Sequence, residues 1–354
     1  MRPRLKPILL FRALAVLLTA VILWPIDHFI EGSSKLGYIE NILVLVGINI
    51  ILAVALNIVN GFTGQFSLGH IGFYAVGAYV AAAMSTFGHD RLFHSLPVDG
   101  TPVPAIQAAY PIVVIMIAAG LAAAAIGVIV GLPSLRLRGD YLAILTLGFA
   151  QIIQVVLRNM PIIDGDTSFT GIQRPDGSQL LTPHLTSVFW VFFTAIVTIW
   201  IAYGLRNSTH GLAFVAVRED EVAAEAMGIN TTRYKVTAFV ISAFLTGVAG
   251  ALFGLYSPAL SNDQFSFMNG VNVVVMVVLG GLGSISGVTI AAILLTAVPE
   301  ILRPIDQYRL VVFPLVLILL MLTRPQGIFG QAEIGRSMFQ RLTRQRPRAL
   351  PFNR

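Results

Sequence analysis

Six long stretches of this chain, residues 13–26, 41–64, 106–135, 185–205, 236–262 and 264–299, contain no Lys, Arg or Asp. Crossing the hydrocarbon of a bilayer takes about 20 consecutive apolar residues. Most of these stretches reach that length, and they are separated by short polar connections rather than gathered into one soluble core. Composition agrees: 56% of the 354 residues are hydrophobic, 11% are charged, and the mean hydropathy is +0.81. A soluble domain carries about a quarter charged residues, so this surface could not be kept wetted by water alone. The chain therefore reads as an all-α, polytopic membrane helical bundle.

Spans are expected at 8–26, 40–60, 67–87, 109–132, 140–158, 187–205, 235–256, 270–284, 287–299 and 309–323. The N-terminal run after Met1-Arg-Pro-Arg-Leu-Lys6 has no small-residue cleavage site, and it is read as an uncleaved first span. Residues 270–299 are long for one helix and short for two. Gly280, Gly281, Gly283 and Gly287 crowd their middle, which points to a break or hairpin.

Charge parity decides between the two. With the N-terminus inside and two passages through 270–299, the inner segments carry four, two, four and seven of the 23 basic residues. A single passage would place the seven-Arg tail outside, against the positive-inside tendency. About ten crossings with both termini cytoplasmic are expected. Residues 1–330 then form a membrane domain with an inner loop at 206–235, and 331–354 form a basic, disordered tail.

The formal net charge is +6, but the basic residues sit at span ends and in the tail. That is the placement of topology signals, and no nucleic-acid groove is expected. The absence of cysteine removes disulfides and thiolate sites. No metal or cofactor site and no catalytic residue is expected.

The densest motif is Gly61-Phe-Thr-Gly-Gln-Phe-Ser-Leu-Gly-His-Ile-Gly-Phe-Tyr-Ala-Val-Gly-Ala-Tyr79. It puts polar atoms beside flexible backbone near membrane depth, where broken helices often present dipoles to a substrate. Asn57, Gly64, Gln65, Ser67, Gly69, His70 and Gly72 are the candidate pathway residues. The competing reading is a tight packing interface with His70 bonded to a neighbouring helix. Gly127-xxx-Gly131, Gly250-xxx-Gly254 and Gly283-xxx-Gly287 are read as helix-packing signals.

A second motif, Gly211 to Ile229, lies in the inner loop. Asp220 suits the N-cap of a short helix and Gly228 its end. Glu221 and Glu225 share one face; Val222 with Ala226 and Ala223 with Met227 share others. Such a helix suits a groove on another protein better than an anionic membrane surface. No Gly-x-x-x-x-Gly-Lys-Ser/Thr occurs, since none of Lys6, Lys35 and Lys235 follows a glycine. The chain therefore encodes no P-loop. Intramembrane charge is also missing, and ion-coupled carriers usually retain some. Energy for transport is expected from a separate, docked ATPase. A stand-alone secondary carrier or channel and an integral-membrane enzyme are the rivals; the enzyme would need more than His70 inside the spans.

Several segments together resemble the branched-chain amino-acid ABC permeases. Gly61 to Ala83 is similar to their signature, and Arg136-Leu-Arg-Gly-Asp-Tyr-Leu-Ala-Ile-Leu-Thr-Leu-Gly-Phe149 resembles a stretch of the LivM-type half. Arg218-Glu-Asp-Glu-Val-Ala-Ala224, ending at Gly228-Ile-Asn230, is similar to the coupling loop. Gly280-Gly-Leu-Gly-Ser284 and Arg324-Pro-Gln-Gly327 also match. The chain departs from the pattern at Val288, where the family often has Pro, and loosely over Thr167 to Ile172.

The resemblance implies a type II ABC importer fold in the cytoplasmic (inner) membrane. It implies a LivH-type second permease subunit, two cytoplasmic ABC ATPases that use the ATP, and an extracytoplasmic amino-acid-binding protein. Arg218, Glu219, Asp220, Glu221, Ala223, Ala224, Glu225 and Gly228 would then form the ATPase-coupling surface. The implied cargo is leucine, isoleucine and valine, with urea, short amides or other neutral amino acids as the alternative.

Overall fold

The structure, a computed structural model, describes residues 37–87, 109–134, 140–159, 186–257 and 260–301. It also describes the pairs 168–169, 172–173 and 179–180 and the single positions 315, 318, 322 and 327. The expected span 8–26, the tail 331–354 and nearly all of 309–323 lie outside the described residues.

Helix α1 (Gly37–Asn57) continues as a π-turn over Ile58–Phe62. There follow α2 (His70–Phe87), α3 (Ala109–Ser134), α4 (Asp140–Arg158) and α5 (Val188–Arg206). Two short helices, α6 (Thr209–Glu219) and α7 (Glu221–Ala226), lead into α8 (Thr231–Tyr256). A 3-10 turn at Asn262–Phe265 precedes α9 (Phe267–Gly280), and α10 (Ile285–Ile301) closes the described part. Among the described residues six helices are long and apolar enough to cross a membrane, and two shorter apolar helices, His70–Ser85 and Ile285–Ile301, accompany them.

The bundle is built around α1 and α8, which are buried over most of their lengths, whereas α4 shows Tyr141, Ile144, Ile152, Val155 and Val156 to the outside. An apolar outer flank is what lipid or another membrane subunit requires. α8 packs on α2, α3 and α1, and α1 packs on α5, α9 and α10.

Glycine sets the closest of these crossings. A Cβ on Gly77 would collide with the backbone of Gly247, and one on Gly254 would lie 2.5 Å from the Ala78 carbonyl. Across α3, a Cβ on Gly127 would lie 2.7 Å from Ala243 Cβ. Small residues let backbones approach and gain dispersion contacts that lipid cannot supply. Gly127-xxx-Gly131 and Gly250-xxx-Gly254 thus serve helix packing, as their spacing predicts, whereas Gly283-xxx-Gly287 begins in a turn, with Gly283 at φ 87°.

The helical class has a small exception. Ser168–Phe169 pairs antiparallel with Leu260–Ser261, and Ile172–Gln173 with Gln179–Leu180. These two-residue ladders satisfy backbone groups in connections between helices and leave the bundle unchanged.

The ambiguous segment 270–299 resolves as two antiparallel helices. The break falls at Gly281 to Ser284, a few residues before the expected boundary, because Gly281 (φ 101°) and Gly283 (φ 87°) take left-handed conformations that L side chains avoid. α10 then runs back along α1, from Asn57 Nδ2 donating to the Ser284 carbonyl (3.4 Å) through Asn49–Thr296 (2.9 Å) to Tyr38–Glu300 (2.9 Å).

Candidate functional site

The glycine-rich motif is a re-entrant turn. α1 ends at Phe62, and α2 does not begin until His70, level with Ser242 of α8. Ser242 lies eleven residues into α8, hence about 16 Å along its axis at 1.5 Å per residue. Residues 63–69 therefore lead from the end of α1 back to mid-bundle as non-helical backbone. Such backbone is tolerated at that depth only where protein satisfies it. Here the Gln65 N–H donates to the Val59 carbonyl (3.3 Å), the Ser67 N–H to Asn60 Oδ1 (3.1 Å) and the Leu68 N–H to Thr146 Oγ1 (3.2 Å).

His70 is fully buried and engaged. Ser242 gives its one hydroxyl proton to the Ala55 carbonyl, so its oxygen must accept from His70 Nε2–H (2.6 Å). His70 Nδ1 is then the acceptor facing Ser67 Oγ, at 3.4 Å. Phe73 and Phe239 meet the ring edge-on at 5.8 and 6.1 Å. The imidazole is a strut joining α1, α2 and α8, which favours the packing reading for this residue.

The other candidate pathway residues divide similarly. Gly69 and Gly72 face α4, where a Cβ would lie 2.6 Å from the Thr146 carbonyl and 3.0 Å from Ala150 Cα. Asn57 accepts from the Gly283 N–H (2.9 Å) and ties α1 to the α9–α10 turn. Gln65 is buried beside Thr63, while Gly64 is exposed with φ 69°. Only Ser67 and His70 of the set line the narrow cleft between α1, α2 and α9, whose walls are otherwise apolar: Leu52, Leu56, Ile71, Tyr74 and Val273 among them.

At the end of the bundle where α1 finishes, α6 and α7 form a compact elbow. α6 is anchored by buried Ala213, Phe214 and Val217. One residue, Asp220, separates it from α7, and its carboxylate caps α7 by accepting from the N–H groups of Val222 (2.9 Å) and Ala223 (3.0 Å). The helix stops in a Schellman arrangement: the Gly228 N–H donates to the Glu225 carbonyl (2.9 Å) and Ile229 to Ala224 (3.0 Å), with Gly228 at φ 83°. Both sequence-predicted ends of the short helix are therefore where Asp220 and Gly228 place them.

The faces of the elbow differ from expectation. Two of its acids are bonded to α8: Glu221 pairs with buried Lys235 (2.5 Å), and Glu225, itself exposed, accepts from Thr231 (2.6 Å). Ala224 is buried against the bundle, and Arg218 belongs to α6 and turns away from α7. α7 presents apolar side chains outward, Val222 (65% exposed) and Met227 (83%) with Ala223 and Ala226, next to exposed Asp220 and Glu225. Of the expected surface from Arg218 to Gly228, Glu219, Asp220, Ala223, Glu225 and Gly228 are exposed and Ala224 is buried. Lys235 and Ser242 were not singled out from sequence. A lysine at the mouth of a span facing two acids fourteen and ten residues upstream was the available signal for the first; nothing local marks the second.

Four motifs that are far apart in sequence converge here. Arg218 Nη1 donates to the Gly61 carbonyl (3.0 Å). Asn57, four residues earlier, holds Gly283. A Cβ on Gly327 would lie 2.6 Å from Gly281 Cα, so Gly327 meets the Gly280–Ser284 turn. Among the described residues no group of His, Asp or Glu is placed to hold a metal ion.

The family model described as "Branched-chain amino acid transport system / permease component" matches residues 38–323. The chain is 33% identical over 344 residues to the high-affinity branched-chain amino acid transport system permease protein LivM of Escherichia coli K12, covering 89% of this chain and 74% of that one. It is 35% identical over 153 residues to the LivH permease of Salmonella typhimurium, covering 42% and 49%. It is 26% identical over 295 residues to BraD of Pseudomonas aeruginosa, covering 80% and 92%. No solved structure gives a significant match.

Proposed function

Since the chain belongs to the branched-chain amino-acid transport system permease family, we propose that it is the LivM-type subunit of an ATP-driven importer for leucine, isoleucine and valine. In this reading it spans the inner membrane about ten times in a type II importer fold, with both termini and the α6–α7 elbow cytoplasmic. It pairs with a LivH-type permease subunit. Two ABC ATPases dock beneath, and an extracytoplasmic binding protein delivers the amino acid. ATP is consumed by the ATPases, and this chain supplies the conduit and the coupling surface.

One observation carries the proposal: α7 is a capped helix that exposes Val222 and Met227 while Glu221 and Glu225 bond it to the bundle. Val222, Ala223, Ala226 and Met227 offer a groove-filling surface of the kind that docks an amphipathic helix. Behind it, Glu221–Lys235 and Glu225–Thr231 fasten α7 to the first two turns of α8. A push on α7 therefore moves α8, and α8 is packed against α2, α3 and α1. The cleft beside Ser67 and His70, between α1, α2 and α9, is the candidate contact with an aliphatic cargo, since its walls are apolar.

The test is uptake by proteoliposomes holding this chain, its LivH-type partner and the ATPases, with binding protein added outside. Leucine uptake should require ATP inside and stop when either the ATPases or the binding protein is omitted. Uptake of urea under the same ATP requirement would keep the permease and overturn the cargo. Leucine flux through this chain alone, driven by a gradient, would overturn the whole reading.

A further inference from the structure

We infer that Arg218 is a positioning residue that passes movement of the docking elbow to the re-entrant glycine turn, separately from the link through α8. The inference rests on α7 being the ATPase contact.

Arg218 sits on the last turn of α6, two residues before the Asp220 joint that also caps α7. Its Nη1 donates to the carbonyl of Gly61, a C-terminal carbonyl of the α1 π-turn that has no further helical turn to serve it. A cation at a helix C-terminus is also favoured by the helix dipole. The opposite edge of the guanidinium is held by Glu219 Oε1, at 2.6 Å from Nη2 and 3.2 Å from Nε.

The space for this side chain is made by glycines from two different turns. A Cβ on Gly64 would lie 2.6 Å from Arg218 Cγ, and one on Gly283 would lie 3.2 Å from Arg218 Nη1. Gly283 in turn is bonded to Asn57 of α1. Arg218 is thus wedged where the end of α1, the start of the re-entrant turn and the α9–α10 turn meet. The re-entrant turn leads directly to Ser67 and His70 on the cleft. The elbow has two outlets to the bundle: Glu221 and Glu225 of α7 reach α8, and Arg218 of α6 reaches the turn. Buried Phe214 and Val217 fix α6 from behind, so a shift of the Asp220 joint tilts Arg218 instead of dissipating in a loose loop.

The experiment compares Arg218→Ala and Arg218→Lys with the unaltered chain in the full reconstituted complex. Leucine uptake, ATP hydrolysis and the amount of bound ATPase are measured together. For Arg218→Ala, ATPase subunits should stay bound in normal amount and hydrolysis should stay within about twofold. Uptake per ATP should fall about tenfold, the size expected from losing a hydrogen bond to a charged donor. Arg218→Lys keeps a cationic donor for the Gly61 carbonyl and should restore most of the ratio.

A normal uptake-to-ATP ratio for Arg218→Ala would overturn the inference. So would a loss of uptake that only follows loss of bound ATPase. If Arg218→Ala does not fold, a Lys variant that folds yet stays as uncoupled as a no-permease control would also count against it. Failure of the unaltered complex to couple uptake to ATP is a different result, and it would overturn the proposed function itself.

Discussion

Replacing Gly77 by Leu is expected to abolish folding of the bundle. At this position α2 and α8 cross with backbone against backbone: a Cβ on Gly77 would overlap the Gly247 carbonyl and lie 2.7 Å from Gly247 Cα. The obstructing atoms are main chain inside a buried helix, so no rotamer change relieves them. Ordinary overpacking costs about 1–3 kcal/mol when side chains can shift. Here α2 and α8 must separate, and the His70–Ser242–Ala55 chain, which bridges the same crossing, is lost with them. The expected outcome is loss of the monodisperse peak in detergent size-exclusion chromatography. Gly204→Leu is the control, because a Cβ there meets nothing within 4 Å in the chain, and it should leave the peak in place. A well-folded Gly77→Leu chain would show that α2 and α8 do not cross here.

The second large effect is expected from Val222→Asp combined with Met227→Asp. Both side chains are exposed in the isolated chain, so the permease should fold normally. If they enter an apolar groove, each contributes about 1.5–3 kcal/mol by burial of a full side chain. An Asp in the same place adds the cost of a buried, unpaired charge. The sum exceeds what a docking interface of one short helix can absorb. The double variant should therefore lose bound ATPase on purification, and leucine uptake should fall about a hundredfold or more. Unchanged ATPase binding would mean that α7 is not the contact.

Much of this architecture is legible in the chain itself, for reasons particular residues make plain. Charge-free stretches place α1, α3, α5 and α8 because a bilayer accepts little else, and the Asp220 and Gly228 signals bracket α7 because capping chemistry is local. The α9–α10 break is visible as a glycine cluster, although its position depends on which glycines take positive φ, which residue identity alone leaves open.

The roles of individual polar residues are less legible. Gly64, Gln65, Ser67 and His70 look alike as pathway candidates in sequence. In space His70 is a strut, Gly69 and Gly72 are contacts with α4, and Gly64 makes room for Arg218. These differences come from partners 78 to 172 residues away, Thr146 and Ser242 among them, and no local pattern encodes them. The partners of the acids are equally hidden: Lys235 and Thr231 bond Glu221 and Glu225, and Val222 and Met227 stand exposed on α7.

The central claim is that the Met227 face of α7 lies on the cytoplasmic side and is covered by an ATPase. The chain contains no cysteine, so Met227→Cys gives a single reactive thiol without further changes. A membrane-impermeant maleimide should label it in inverted vesicles and not in intact spheroplasts, and added ATPase subunits should protect it. Labelling from outside intact spheroplasts, or labelling in inverted vesicles that the ATPases leave undiminished, would contradict the account.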